Sequence, residues 1–144
     1  MNRKFLLTLF FISSISLVLR SQLNDANLRI EFKLDTASAA IDSNNNYLSS
    51  TRYEVIYHLA VTDYLSIDKV ELQMGTSYEG NQYFSYRLDL NDDGFPRNIS
   101  LVKLANELVV STGKYALSTV YYARARFKFT NGTYSEWMRI SNAE

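Results

Sequence analysis

Beyond residue 27 the apolar positions recur every second residue almost without a break. In LRIEFKL, Leu28, Ile30, Phe32 and Leu34 point one way, and Arg29, Glu31 and Lys33 the other. In YEVIYHLAV the apolar set is Tyr53, Val55, Tyr57, Leu59 and Val61. KVELQM alternates Val70, Leu72 and Met74 with Lys69, Glu71 and Gln73. FSYRLDL places Phe84, Tyr86, Leu88 and Leu90 on one side. YYARARFKF sets Tyr121, Ala123, Ala125, Phe127 and Phe129 against Tyr122, Arg124, Arg126 and Lys128, and TYSEWMRI closes the chain. Successive side chains leave opposite faces of a pleated strand, so this period predicts half-buried strands. The breaks carry turn chemistry: SNNN (43–46), GTSYEGN (75–81), NDDG (91–94), STGK (111–114) and TNGT (130–133). Asn131-Gly132 is the strongest hairpin signal, because both residues tolerate positive φ. SLVKLANELVV (100–110) reads either as a short helix lined by Leu101, Leu104 and Leu108 or as one or two strands. About seven short strands at regular spacing predict an all-β fold, a two-sheet antiparallel β-sandwich.

The start of the chain is different. Arg3 and Lys4 precede an apolar run from Phe5 to Leu19, broken only by Thr8, Ser13, Ser14 and Ser16. That is the layout of a secretory signal peptide, and the run is shorter than the ~20 residues of a spanning helix. Residues 1–21 are therefore expected to be a signal, and 22–144 a single exported domain without a membrane span, in a periplasmic, cell-surface or extracellular location. Removing residues 1–21 takes away Arg3, Lys4 and Arg20 from 15 basic residues and none of the 15 acidic ones, which leaves a net charge of −3. Nucleic-acid binders ordinarily carry a basic balance, so that class is disfavoured. The chain has no cysteine. Lipid attachment through cysteine and disulfide stapling are both closed, and the fold must rest on its core.

YYARARFKFTNGTYSEW resembles the last hairpin of a fibronectin type III domain, in which a Tyr-x-x-Arg strand leads to an Asn-Gly turn and then Ser-x-Trp. The resemblance covers about 20 residues of this pattern. It implies a fibronectin-III-like or immunoglobulin-like sandwich, with Tyr121 at the strand entrance tethering a loop through its hydroxyl and Trp137 on the closing strand. It also implies that the YYARARFKF strand neighbours KVELQM, which brings Glu71 within reach of the basic row. The chain departs from the family pattern in having Trp137 as its single Trp and Pro96 as its single Pro. Such a fold specifies no function.

Candidate chemistry is sparse. DLNDDG (89–94) opens like a calcium loop, with Asp89, Asn91 and Asp93 as oxygen donors and Gly94 at the turn. Place twelve is Ser100 instead of Glu, and place nine is Arg97. Asp93-Gly94 also reads as a two-residue turn. His58 is the single histidine and shares the outward strand face with Glu54, Ile56 and Thr62, where it reads as a partly exposed strand residue. No Gly-x-Ser-x-Gly elbow, zinc set or phosphate loop can be built, so catalysis is not expected. Arg124, Arg126 and Lys128 form an outward row that reads as a partner stripe or as a cross-strand ladder.

Tyrosine is abundant, with 11 residues. Tyr47, Tyr78, Tyr83 and Tyr134 lie in or beside turns. Tyrosine offers a flat apolar face and a polar tip at low entropic cost, so these residues are candidate contacts. The expectation is an exported, non-catalytic binding module that engages an envelope or surface protein through these tyrosines, Arg124 and Arg126. Two alternatives stay open: a carbohydrate-binding module that stacks sugars on the same rings, and an adhesin stabilised by calcium at DLNDDG.

Overall fold

A computed structural model describes residues 25–35, 43–45, 52–117 and 120–142. The expected signal segment 1–21 and Tyr47 lie outside the described residues. Eight strands follow in order: β1 (Leu28–Leu34), β2 (Tyr53–Ala60), β3 (Ile67–Gly75), β4 (Phe84–Asp89), β5 (Ser100–Lys103), β6 (Glu107–Tyr115), β7 (Tyr122–Phe129) and β8 (Met138–Ser141). They form two four-stranded sheets, β1-β2-β6-β5 and β4-β3-β7-β8, and every pairing is antiparallel. The protein is a two-sheet β-sandwich. Among the described residues the only helical element is a 3-10 turn at Tyr64–Ser66, and no helix is long and apolar enough to cross a membrane.

The core follows the period-two pattern. Ile30, Val55, Tyr57, Leu59, Leu108 and Val110 from the first sheet meet Val70, Leu72, Met74, Leu88, Ala123, Ala125 and Ile140 from the second, all buried. Leu, Val and Ile side chains of this kind stabilise the fold by roughly 1.5–3 kcal/mol each when fully buried. Tyrosines tie the sheets together as well as filling them. The Tyr57 hydroxyl of β2 donates to the Gln73 carbonyl of β3 at 2.8 Å. Tyr115 of β6 donates to the Thr112 carbonyl at 2.7 Å, and its oxygen lies 2.6 Å from the Tyr86 hydroxyl of β4. Burial pushes the Tyr57 and Tyr115 phenols well above their usual pKa. Tyr121 behaves otherwise than the family resemblance implies. Its hydroxyl is buried without a hydrogen-bond partner, its ring packs edge-on against Phe32 at 4.8 Å, and burial pushes its pKa up to about 12.

Several expected boundaries move. The ambiguous 100–110 stretch is the β5–β6 hairpin, which adds the eighth strand; the Leu104 amide closes it on the Glu107 carbonyl at 2.8 Å. Leu104 sits exposed at the turn instead of lining a helix. STGK (111–114) is no break but part of β6. Between Glu54 and Ile56 of β2 the partner steps from Lys114 to Ser111, so β6 carries one extra residue. Gly113, at φ 99°, makes that bulge possible. Asp93-Gly94 closes no hairpin, because β4 and β5 belong to different sheets. At Asn131-Gly132 only Gly132 has positive φ, at 88°. The Phe129 amide bonds the Thr133 carbonyl at 2.8 Å, which makes a three-residue loop with a left-handed last position.

Both left-handed glycines resist a side chain, but unequally. Gly132→Ala meets open space, whereas a Cβ on Gly113 lies 3.1 Å from Asn98 Cβ. Gly132→Ala is expected to cost roughly 1 kcal/mol from backbone strain alone, and Gly113→Ala clearly more. Urea unfolding of the two variants checks the order.

Candidate binding face

β7 supplies the outward row. In register, Arg124 lies between Gln73 of β3 and Arg139 of β8, and Arg126 faces Glu71 of β3, which in turn faces Arg87 of β4. The cross-strand ladder expected from the alternation is therefore present. Its centre is Glu71, which the alternation assigns to solvent but whose side chain is only 8% exposed. Arg126 Nε donates to Glu71 Oε2 at 2.7 Å, and Arg87 Nε and Nη2 reach Oε1 at 2.8 and 2.7 Å. Burial pushes the Glu71 pKa up, but hydrogen bonds and charge from Arg126 and Arg87 outweigh it and hold the carboxyl below its usual value.

The arginines carry aromatics on top. The Arg124 guanidinium lies over the Trp137 ring at 4.0 Å, and Arg126 lies over the same ring at 4.4 Å and over Tyr134 at 4.1 Å. Each such contact contributes about 0.5–1 kcal/mol at an exposed site and more when dry. The backbone makes room for this. TYSEWMRI pairs as a strand only from Met138, with an isolated bridge between Tyr134 and Lys128. Ser135 stands in for part of the ladder: its amide bonds the Phe127 carbonyl at 2.9 Å, and its hydroxyl accepts the Phe127 amide at 2.9 Å. The segment runs beside β7 without a full ladder, and the rings of Tyr134 and Trp137 fold over the β7 arginines. At the other end Tyr78, on the β3–β4 loop, packs its ring 4.5 Å from that of Tyr122. Gly75 and Gly80 let the loop double back, since a Cβ on Gly75 would meet the Gly80 carbonyl carbon at 2.5 Å.

A continuous strip results: Tyr78, Tyr122, Arg124, Trp137, Arg126, Tyr134. From Tyr122 to Lys128 it spans roughly 20 Å, at about 3.3 Å per residue. The structure joins Arg124, Arg126, Tyr78 and Tyr134 in this strip, but the two tyrosines sit at opposite ends of it. Tyr83, at the end of the β3–β4 loop, lies outside this strip, half-buried and packed on the core. Trp137, Tyr122 and Arg139 were not singled out as contacts from the sequence. The Tyr134-x-x-Trp137 spacing beyond a turn was the available signal, because the hairpin folds it back over Arg126 and Arg124.

Partial burial lowers the Arg124 pKa from the usual guanidinium value, and Arg139 and Arg126 add to the fall, while Glu79 and Glu71 oppose it. Arg124 Nε donates to Gln73 Oε1 at 2.8 Å, and its Nη1 lies 3.9 Å from Glu79 Oε1.

The other candidates resolve differently. His58 is less exposed than its strand position implied, at 11% of the side chain. Its Nε2 donates to Glu31 Oε2 at 2.9 Å, and Nδ1 lies 3.3 Å from Glu107 Oε1. Arg29 stands 4.0 Å from Glu31 and 3.8 Å from Glu107. Arg29, His58 and Glu107 edge a hollow of about 330 Å³ lined also by Asp25, Asn27 and Asn106. In DLNDDG, Asp89 Oδ1 accepts the Asn91 amide and Asp92 Oδ1 accepts the Gly94 amide, both at 2.9 Å. Asp93 is exposed on the same crossover. Among the described residues no group of three or more His, Cys, Asp or Glu is placed to hold a metal ion. In comparisons with known proteins, the chain matches no family model, no curated protein and no solved structure.

Glu71→Gln tests the ladder's centre. With the folded pKa below the unfolded one, the carboxylate's contribution is present above the unfolded value near ~4.3 and is lost as pH falls through the folded value. At pH 7 the variant is expected to lose about 2 kcal/mol. The gap to wild type closes toward pH 3. Urea unfolding at pH 3, 5 and 7 reads it.

Proposed function

We propose that the chain is an exported, non-catalytic binding module that engages a protein partner of the cell envelope or surface across the outer face of the β4-β3-β7-β8 sheet. The strip of alternating arginines and aromatics along β7 carries this reading. Trp, Tyr and Arg are the residues that dominate protein interfaces, because each buries a large rigid contact and leaves one polar group to pair. The strip is pre-ordered by Glu71, so little freedom remains to be lost on association. The strand order supports a fibronectin-III-like or immunoglobulin-like kinship. With β1 to β8 taken as A, B, C, C′, D, E, F and G, the neighbours are A-B-E-D and C′-C-F-G, an immunoglobulin-type arrangement.

Two features weigh against the carbohydrate reading. A sugar platform needs coplanar exposed rings, whereas Tyr78 and Tyr122 are tilted by 52° and Tyr134 lies at the far end of the strip. The calcium reading finds the Asp89 and Asp92 carboxylates turned to their own loop amides.

Trp137→Ala is the test. It removes the shared ring while Glu71 still holds Arg126. Crosslinked capture from the native host is compared for wild type and variant, with a glycan screen beside it. A stoichiometric envelope protein is expected with wild type, reduced at least about tenfold with the variant, as for a hot-spot residue. Equal capture by both, or glycan binding that depends on Trp137, overturns the reading.

A further inference from the structure

Glu79 sits at the crest of the β3–β4 loop with φ 64°, a left-handed backbone in a residue other than glycine. Its side chain is 69% exposed, yet its Oε1 is turned back to the sheet, 3.9 Å from Arg124 Nη1 and 3.8 Å from Arg139 Nη2. Those two arginines come from β7 and β8 and are cross-strand partners. Directly opposed like charges are unfavourable in a sheet, so the pair needs an anion between them. Glu79 meets that need only loosely, since both distances exceed hydrogen-bond length. A dimple of about 10 Å³ lies at this place, lined by Glu79 itself together with Tyr78, Tyr122, Arg124 and Arg139. With the Glu79 side chain swung out, two guanidiniums and two aromatic rings remain around it beside Ala123 and Ile140, which suits a carboxylate carried on a chain that can lie along the rings.

We propose that Arg124 and Arg139 form a carboxylate-recognition site for an acidic segment of the protein partner, and that Glu79 is a built-in surrogate which that segment displaces. The proposal rests on the binding face described above and assigns its specificity. Guanidinium pairs bind carboxylates through paired N–H donors, and an incoming side chain free to approach closely makes the short contacts that Glu79 does not. The loop glutamate then acts as a competitor, so weakly acidic segments are excluded and the site favours chains with several carboxylates.

Fluorescence anisotropy with a fluorescein-labelled, terminally capped hexaglutamate peptide tests this, with hexalysine as the charge control. Wild type is expected to bind the hexaglutamate weakly and the hexalysine not at all. Glu79→Gln removes the competitor and is expected to tighten hexaglutamate binding about three- to fivefold, in keeping with the loss of an exposed ion pair. Arg139→Gln is expected to weaken it by about as much or more. The effects shrink above about 0.5 M salt, where the screening length falls below half of its 0.1 M value. Both positions are exposed, and circular dichroism confirms the fold of each variant. Absence of hexaglutamate binding in wild type and Glu79→Gln, or Glu79→Gln binding no tighter than wild type, overturns the proposal. So does Arg139→Gln binding unchanged. A partner captured through Trp137 but indifferent to Glu79→Gln and Arg139→Gln would leave the binding face standing and sink this assignment alone.

Discussion

A carboxylate on the solvent side of a sheet stays buried only if cations close over it, and the Glu71 trio is that arrangement. Arg126 and Arg87 reach it from the strands on either side of β3, each with a hydrogen bond under 3 Å. The energetic balance of such a buried ion cluster is delicate, because desolvation of the charges offsets much of their attraction. Its structural effect is less delicate. Arg126 is held at its Nε, and its guanidinium then has one place to lie, beneath Trp137 and Tyr134. Arg124 is fixed in the same way by Gln73, which also donates to Ser85. Two cross-strand rows thus orient two guanidiniums, and the guanidiniums orient the aromatics.

Beneath that face, tyrosine hydroxyls take on part of what a disulfide would do in a small sandwich. Tyr57 and the Tyr86–Tyr115 pair connect β2 with β3 and β4 with β6, each crossing from one sheet to the other. A tyrosine can do this because its ring fills the core while its hydroxyl reaches a backbone carbonyl at the far side. Such bonds do not constrain the unfolded chain as a covalent link does. Stability therefore rests on packing and on satisfied polar groups, Thr112 among them, whose buried hydroxyl donates to the Val55 carbonyl.

The alternation of apolar residues was enough to name the buried faces of β1, β2, β3, β4 and β7, because burial on one face of a sheet leaves a strict period of two. It failed where backbone geometry departs from a regular strand. A bulge at Gly113 keeps β6 running through a sequence that spells a turn, since serine, threonine and glycine serve either purpose. Ser135 breaks the β8 ladder with its own side chain, and nothing in the period announces that. The candidate strip was half legible. Arg124 and Arg126 were visible as an outward row, and Glu71 as a neighbour by resemblance. Trp137 read as one more strand aromatic, because its position over the row depends on a hairpin register that a single strand does not encode. Glu71 itself was assigned to solvent, since alternation records direction and not what lies above.

The two outer faces differ in how far their charges are satisfied, and this bears on which one meets a partner. On the β1-β2-β6-β5 side, Arg29 and His58 face Glu31 and Glu107, and each carboxylate lies within 4.0 Å of both bases. That group sets two carboxylates against one guanidinium, with the His58 ring between them, and a partner would have to break contacts to replace them. On the β4-β3-β7-β8 side one carboxylate, Glu71, serves two guanidiniums, and Glu79 stands off Arg124 and Arg139 at nearly 4 Å. Four guanidiniums there, those of Arg87, Arg124, Arg126 and Arg139, meet two carboxylates, beside the exposed rings of Tyr78 and Tyr134. Although the chain as a whole is not basic, this group of ion pairs holds more cations than anions. For the proposed acidic partner the first of these groups offers little attraction and the second offers more, so the arrangement of charge favours one docking orientation even where net charge says nothing.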